Sequence, residues 1–262
     1  MVNRGFPSDE EVERQTYLEF LDEARDVAST MQVLLENMRT GVVKPAESIV
    51  NLRRHAHNLK TAGHAVNSPL IRLITHRLEE YLSELKRVTS AQVAEIQVFL
   101  DRIQAVVDGE TADEAEVMAV VRSLPAKRRA DIDFGSIEQK NVEVLLIVPE
   151  KAMSHIIERE LAACGYRVSN VHDPFHALEM IVRIKPDMVI AAMELGTVIS
   201  GIDLGCALAA MTPTQSVPYS LLTSYEWGHA KLRGLPARAA LIRKGPKFGD
   251  DLAEFLARFN IT

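Results

Sequence analysis

Cysteine, aromatic residues and long apolar runs are scarce in this 262-residue chain. It contains two cysteines, and aromatic residues make up 5% of the sequence. Cys164 and Cys206 follow apolar neighbours without metal-ligand spacing, which predicts small buried thiols in a reducing compartment. No apolar run is long enough to cross a membrane and no secretory leader is recognisable, so we expect no membrane partner and a cytoplasmic location.

An excess of basic residues and a nucleotide-binding loop are also missing. The chain has 30 lysines and arginines against 36 aspartates and glutamates, which gives a formal net charge of −6. This balance argues against a nucleic-acid partner. The glycine-rich string Gly196–Gly201 lacks the Gly-Lys-Ser/Thr ending of a phosphate-binding loop, so the sequence indicates no nucleotide site of that kind.

A long amphipathic helix is predicted at the start of the chain. Ser8 to Glu11 has the pattern of a capping box that opens it, and Gly41 predicts its end. Apolar residues recur every three, four or seven positions, and those expected to face inward are Leu18, Leu21, Ala28, Met31, Leu35 and Met38.

Further helices complete an N-terminal domain. One is predicted to begin near Pro45, a second after Ser68 and a third to stop at Gly109, and a second capping box at 111–114 predicts another short helix. Four or five helices joined by short loops predict an up-and-down all-α bundle over residues 1–125.

The pattern changes in the second half of the chain. Residues 126–140 have no apolar periodicity and are predicted to be a linker. From 141 to 262, short apolar runs alternate with helical stretches, and the predicted strands are 144–148, 168–171, 188–192, 219–222 and 239–242. This alternation predicts a doubly wound α/β domain with a five-stranded parallel sheet, whose functional edge lies at the carboxyl ends of the strands.

Helical phase singles out His57. At about 100° per residue, one apolar stripe of the second helix contains Ile49, Leu52, Ala56, Leu59, Gly63 and Val66. His57 lies far from this stripe, and the side chains expected beside it on the solvent face are Arg53, Lys60, Thr61 and His64. His55 falls nearer to the stripe, half packed in the helix flank, and no nearby carboxylate completes a set of ligands, so we expect no metal site.

The string Ala56-His57-Asn58-Leu59-Lys60-Thr61-Ala62 resembles the A-H-x-L-K-G-x of histidine phosphotransfer (HPt) domains, which relay phosphoryl groups between histidine kinases and receiver domains. The resemblance implies that His57 is phosphorylated and that Lys60 steadies the phosphoryl group. It also implies a docking surface for a receiver, to which Arg53, Arg54, Thr61 and His64 would contribute. Thr61 and Asn67 stand where glycine is common in the family, which leaves partner choice and the efficiency of transfer open.

Residues 141–262 resemble the receiver domain of response regulators, with departures at the reactive positions. Lys185–Ala192 is similar to the K-P-D-L-V-L-L-D that ends the third strand, but Ala192 stands where a receiver is phosphorylated on aspartate. Pro149-Glu150 stands where receivers place two acidic residues for Mg²⁺, so one carboxylate is lost. The resemblance therefore implies a pseudo-receiver that cannot accept a phosphoryl group there and offers a surface for protein contacts.

Three further positions compare with the receiver pattern. Thr223 matches the hydroxyl at the end of the fourth strand and Lys244 matches the lysine at the end of the fifth, whereas Leu241 stands where a switch aromatic would be. Because the acceptor is absent, we expect Thr223 and Lys244 only to finish strands and to form local hydrogen bonds. The side chain of Glu194, one residue past the position that faces Ala192, should point elsewhere.

Together the resemblances imply a phosphorelay signalling protein of a bacterium. His57 would accept a phosphoryl group from an aspartate on the receiver domain of a hybrid histidine kinase or response regulator and pass it to another receiver. The chain itself would bind no cofactor, and the partner would supply Mg²⁺. The sequence has no ATP-binding signature of a histidine kinase, so we expect a transfer intermediate rather than a turnover enzyme.

Two alternatives stay open at this point. In the first, the chain is a non-catalytic adaptor or an inhibitor of a histidine kinase, and both domains only bind. The intact pair of His57 and Lys60 distinguishes the relay from this alternative, because binding alone does not require it. In the second, the pseudo-receiver regulates His57 within the same chain. The oligomeric state, the cognate kinase and the pathway are not predicted.

Overall fold

The structure, a computed structural model, describes residues 8–66, 68–83, 85, 88–109, 114–126 and 140–261. The chain divides into two compact units, residues 1–128 and 129–262. The finer domain limits at 125 and 141 stay a prediction, because most of the predicted linker lies outside the described residues. In the described part of the chain, no helix is long and apolar enough to cross a membrane.

The N-terminal unit is built from helices. Their bounds are α1 Asp9–Arg39, α2 Pro45–Ala65, α3 Pro69–Ser83, α4 Ser90–Val107 and α5 Glu114–Ser123. Helix α2 packs along α3, α1 packs on α2 and α4, and α3 also contacts α4 and α5. This arrangement confirms the predicted helical bundle.

Local signals at the helix ends follow the sequence closely. Ser8 forms the predicted capping box of α1, in which its hydroxyl accepts a hydrogen bond from the Glu11 N–H and the Glu11 carboxylate accepts one from the Ser8 N–H. Gly41 and Gly109 follow the ends of α1 and α4 with φ of 72° and 103°, a conformation that favours glycine. The capping box predicted at 111–114 involves positions outside the described residues.

The bundle core follows the predicted pattern except at the beginning of α1. Met31, Leu35 and Met38 are buried as expected, but the side chain of Leu18, predicted to face inward, is 48% exposed. Phe20 is the first buried residue of the helix. The reason is length: α1 has 31 residues and its neighbour α2 has 21, so the first turns of α1 extend beyond the helices that could cover them.

The C-terminal unit has the predicted α/β architecture. Its elements are β1 Glu143–Ile147, α6 Lys151–Ala163, β2 Arg167–Asn170, α7 Pro174–Ile184, β3 Met188–Ala192, α8 Gly201–Ala210, β4 Tyr219–Thr223, β5 Ala240–Arg243 and α9 Phe248–Phe259. The sheet order is β2-β1-β3-β4-β5, and every neighbouring pair is parallel. This is the strand order of doubly wound receiver-like folds, so the predicted fold class is confirmed.

The prediction of a helical stretch between every pair of strands is wrong between β4 and β5. That connection contains a single 3₁₀ turn, Ala230–Leu232. Gly228 and Gly234, on either side of it, have φ of 87° and 94°, which interrupts an α-helix at both ends. Leu232 attaches this turn to the sheet, because it packs with Leu221 and Leu241 in a small apolar cluster.

The prediction of buried thiols is also wrong, because Cys164 and Cys206 are both exposed. Cys164 lies at the C-terminal cap of α6, where the chain leaves the helix at the surface. Cys206 lies on the outer side of α8, whose buried face is formed by Gly201, Leu204, Gly205 and Leu208. An apolar sequence context alone did not distinguish the inner face of that helix from its outer face.

Helix α8 lies unusually close to the end of the sheet. A Cβ added to Gly201 would overlap the carbonyl oxygen of Ala192, and one added to Gly205 would lie 2.7 Å from the ring of Tyr219. The Tyr219 hydroxyl donates a hydrogen bond to the Gly201 carbonyl oxygen, and burial raises the pKa of this phenol. The two glycines therefore permit a contact between helix and sheet that no larger residue allows.

A Gly201→Ala variant is expected to lower the unfolding free energy of the α/β unit by about 1–3 kcal/mol, because the backbone oxygen it meets cannot rotate away. Trp227, the only tryptophan in the chain, lies in this unit, so urea unfolding followed by its fluorescence measures the change. The matched control is Gly249→Ala in α9, whose added Cβ meets no atom within 4 Å. Equal stability of the two variants would contradict the proposed contact.

Candidate functional site

The helical phase predicted for α2 is confirmed. Ile49, Leu52, Ala56, Leu59 and Gly63 are buried. The imidazole of His57 lies on the other side, and 64% of its side-chain surface is exposed. An apolar stripe that binds α2 to its neighbours thus leaves His57 accessible to a partner molecule.

The imidazole is oriented by a carboxylate from α3. Nδ1 of His57 lies 2.8 Å from Oε1 of Glu79. An ionised carboxylate can only accept hydrogen bonds, so the ring proton resides on Nδ1 in this arrangement. The lone pair of a neutral ring is then on Nε2. The contact therefore selects the tautomer in which Nε2 is a free nucleophile.

Lys60 shares the same carboxylate. Its ammonium group forms an ion pair with Oε2 of Glu79, and 27% of its side-chain surface is exposed. The sequence predicted that Lys60 faces solvent beside His57. It does lie beside His57, but it is half-buried, because it reaches across to α3. One carboxylate thus holds His57 through one oxygen and Lys60 through the other.

Glu79 was not identified from the sequence, although a signal for it exists. Helices α2 and α3 form an antiparallel hairpin whose turn lies around Ser68. His57 stands eleven positions before that serine and Glu79 stands eleven positions after it. Residues equally far from the turn of such a hairpin lie opposite each other. A search for a carboxylate at that distance would have found Glu79.

Arg53 has a different role from the one predicted. Its guanidinium donates hydrogen bonds to carbonyl oxygens at the end of α3, with Nε 2.9 Å from Leu82 O and Nη2 2.9 Å from Ser83 O. It also lies 3.4 Å from Leu85 O. The Leu82 carbonyl oxygen also accepts a hydrogen bond from the Leu85 N–H at 3.2 Å. Carbonyl groups at the end of a helix lack the usual intrahelical partners, and a cation suits the negative end of the helix dipole. Arg53 therefore closes the end of α3 and does not face solvent.

The other residues expected on this face have mixed surroundings. Arg54, Thr61 and His64 are exposed. The Thr61 hydroxyl donates a hydrogen bond to the His57 carbonyl oxygen at 3.0 Å, so it is already engaged by the helix. His55 is half-buried as predicted, and its pKa is lowered by burial and by the charge of Arg54. Asn67 lies outside the described residues.

The C-terminal unit brings the residues of the receiver pattern to one edge of its sheet. A cleft of about 390 Å³ is lined there by Val148, Pro149, Glu150, Ala192, Met193, Glu194, Gly196, Leu222, Thr223, Ser224, Tyr225 and Lys244. The methyl group of Ala192 occupies the end of β3 and carries no oxygen that could accept a phosphoryl group. The cleft therefore has the position of a receiver site without its acceptor.

The remaining matched residues have local partners. The Thr223 hydroxyl accepts a hydrogen bond from the Tyr225 N–H at 3.2 Å, and the Lys244 N–H donates to the Thr223 carbonyl oxygen at 2.9 Å. Glu194 is exposed. Leu241 is buried against Leu232. The sequence predicted such local hydrogen bonds at the strand ends for Thr223 and Lys244.

A comparison with known protein families gives a match within the helical unit. Residues 15–109 match the family of the Hpt domain. No curated protein sequence matches the chain. Among solved structures, the receiver domain of sensor histidine kinase PA1611 from Pseudomonas aeruginosa is similar at 21% identity and a TM-score of 0.41, over 45% of this chain and 98% of that one.

Two longer structures are also similar. The anti-anti-sigma factor PhyR from Bartonella quintana is 16% identical with a TM-score of 0.37, and the match covers 94% of this chain and 93% of that one. The response regulator PhyR from Brucella abortus is 18% identical with a TM-score of 0.38, over 94% and 91% of the two chains. The Hpt match and the receiver-like topology of the second unit together indicate a two-component phosphorelay protein.

An Arg53→Met variant is expected to lower the unfolding free energy of the bundle by about 1–3 kcal/mol, because it keeps the aliphatic stem but removes the guanidinium donors from the carbonyl groups at the end of α3. Thermal unfolding followed by far-UV circular dichroism should show earlier loss of helix, while Trp227 fluorescence, which reports on the other unit, stays unchanged. Arg54→Met is the control, because Arg54 is exposed. A variant at Arg53 that is as stable as this control would contradict the capping role.

Proposed function

We propose that His57 is a phosphoryl carrier, which accepts a phosphoryl group from the phosphorylated aspartate of a partner receiver domain and passes it to another receiver. The partner is the receiver of a hybrid histidine kinase or of a response regulator. The chain acts as a transfer intermediate and not as a kinase, since its sequence has no ATP-binding signature.

One observation carries the proposal: an exposed imidazole has its Nδ1 proton held by Glu79 at 2.8 Å, with a lysine beside it. A nucleophile in a displacement at phosphorus must present a lone pair in line with the leaving oxygen. The Nδ1 contact leaves that lone pair on Nε2, and the exposure of the ring lets a second protein bring its phosphoryl group to it.

The transfer step conserves atoms and charge. Nε2 of His57 forms a bond to phosphorus, and the bond between phosphorus and the aspartate oxygen of the donor breaks, which returns a carboxylate to the donor. Positioning and charge stabilisation supply most of the catalysis in such reactions. We propose that Lys60 offsets the charge of the phosphoryl oxygens, and that the acidic pocket of the partner holds the Mg²⁺ ion. The reverse step delivers the group to the next receiver.

The second unit has another role in this proposal. Its cleft lacks an acceptor at Ala192 and retains one carboxylate, Glu150, of the usual acidic pair. We propose that this pseudo-receiver is an interaction or regulatory module, and that the exposed Arg54, Thr61 and His64 contribute to receiver docking on the bundle.

The decisive variant is His57→Gln, which should abolish labelling because no other residue is proposed to accept the phosphoryl group. The purified full chain is offered to a panel of phosphorylated hybrid kinases from its own genome, and acid-labile, base-stable label is followed. His55→Gln, at a half-buried histidine on the same helix to which the proposal gives no role, is the control and should retain the label. A folded wild-type chain that binds kinases without acquiring label would instead favour the adaptor or inhibitor.

The pseudo-receiver is expected to stay unphosphorylated by acetyl phosphate and Mg²⁺, a mixture that phosphorylates receiver aspartates, because Ala192 has no nucleophilic oxygen. Intact-mass measurement of the His57→Gln chain checks this, with an ordinary receiver domain as the positive control. An acyl phosphate found within residues 140–261 would contradict the assignment.

A further inference from the structure

We propose that Glu79 retains the Nδ1 proton on the imidazole after His57 is phosphorylated, and that this proton keeps the N–P bond labile enough for onward transfer. The inference rests on the proposed function, because it concerns the phosphorylated form of the same histidine. It assigns to Glu79 a positioning and charge-holding role that is separate from the attack by Nε2.

The proton balance of the reaction makes Nδ1 important. The neutral ring begins with a proton on Nδ1 and a lone pair on Nε2. When Nε2 bonds to phosphorus, the ring keeps its proton and becomes positively charged, while the phosphoryl oxygens remain negative. In the onward step the N–P bonding electrons return to Nε2. A ring that has kept its proton then leaves as neutral imidazole, whereas a ring that has lost it must leave as imidazolate, a far stronger base.

Glu79 is placed to favour the protonated ring. Its Oε1 is the hydrogen-bond partner of Nδ1 at 2.8 Å, so phosphorylation converts this contact into a charge-assisted pair of a cationic ring and a carboxylate. Only 21% of the Glu79 side chain is exposed, which limits solvent screening. The ion pair with Lys60 holds the second carboxylate oxygen and fixes the orientation of the group.

The other charged groups around His57 do not replace this carboxylate. On α2, the cations Arg54 and Lys60 disfavour a charged ring. On α3, Glu80 lies 3.7 Å from both His76 and Arg77 and is engaged there. Glu79 is the carboxylate that directly contacts the His57 ring among the described residues.

The experiment uses phosphoramidate, a small donor that phosphorylates imidazoles without a protein partner. The full-length chain is labelled on His57, and loss of the phosphoryl group is followed by ³¹P NMR between about pH 5 and 9. Glu79→Gln keeps the size and the hydrogen-bonding oxygen but removes the charge. An opposite charge within hydrogen-bond distance raises the pKa of a cationic group by about one unit or more, so the variant should lose its phosphoryl group about tenfold more slowly near pH 8.

The shape of the pH profile gives the second readout. In the wild type the phosphorylated ring keeps its proton to a higher pH than in Glu79→Gln, and the N–P bond stays labile over the same range. The pH profile of phosphoryl loss from Glu79→Gln should therefore shift down by about one pH unit. Glu47→Gln makes the same charge change in the first turn of α2, about 15 Å along the helix from His57, and should follow the wild type. Circular dichroism establishes that each variant is folded.

Several results would overturn the inference. They are identical profiles for the wild type and Glu79→Gln, faster loss from Glu79→Gln, or no labelling of His57 by phosphoramidate. The Glu79→Gln variant also frees the Lys60 ammonium group from its ion pair, and this free cation could itself slow the loss of the phosphoryl group. The double variant Glu79→Gln/Lys60→Gln is therefore included. If the phosphoryl group is lost at the wild-type rate in the double variant, the effect belongs to Lys60 and the role of Glu79 is rejected. If the pH profiles differ as predicted but no phosphorylated receiver transfers its group to His57, the proposed function is contradicted and this inference is not.

Discussion

The antiparallel pairing of α2 with α3 is the constraint on which the candidate site depends. His57 and Lys60 lie on one helix, but the group that orients both of them, the carboxylate of Glu79, comes from the other. The same pairing brings the guanidinium of Arg53 to the end of α3. Polar contacts of this kind fix the register of two helices more narrowly than apolar packing does, because a shift by one residue would break them together.

Much of this architecture could be predicted because amphipathic periodicity is a property of a single helix or strand. The phase of α2 gave the buried stripe and the exposure of His57, and short apolar runs gave every strand of the sheet to within one or two residues. Glu79 and Arg53 were harder to predict, because their roles depend on how two helices pack. A helix considered alone assigns Arg53 to solvent, whereas the end of α3 supplies it with two carbonyl oxygens and Leu85, just beyond that end, supplies a third.

The other failures have equally local causes. Leu18 obeys the helical pattern but lies on turns of α1 that extend past shorter neighbours. The connection from β4 to β5 has enough apolar residues for a helix, but two glycines with positive φ confine it to one 3₁₀ turn. Cys206 was misassigned because its apolar sequence neighbours lie on the opposite side of α8. In each case the residue types were compatible with the prediction. What could not be predicted was the length of the neighbouring helices, the backbone direction at two glycines or the side of α8 that faces the sheet.

The methyl group of Ala192 has a consequence for how the second unit can respond to a signal. A conformational equilibrium moves only when something binds or modifies one state in preference to the other. With no acceptor oxygen at the end of β3, phosphorylation at that position cannot supply such a preference, and Leu241 is packed beneath the 3₁₀ turn where a switch aromatic would otherwise move. Phosphorylation at the end of β3 therefore cannot be the event that controls whether another protein binds this surface.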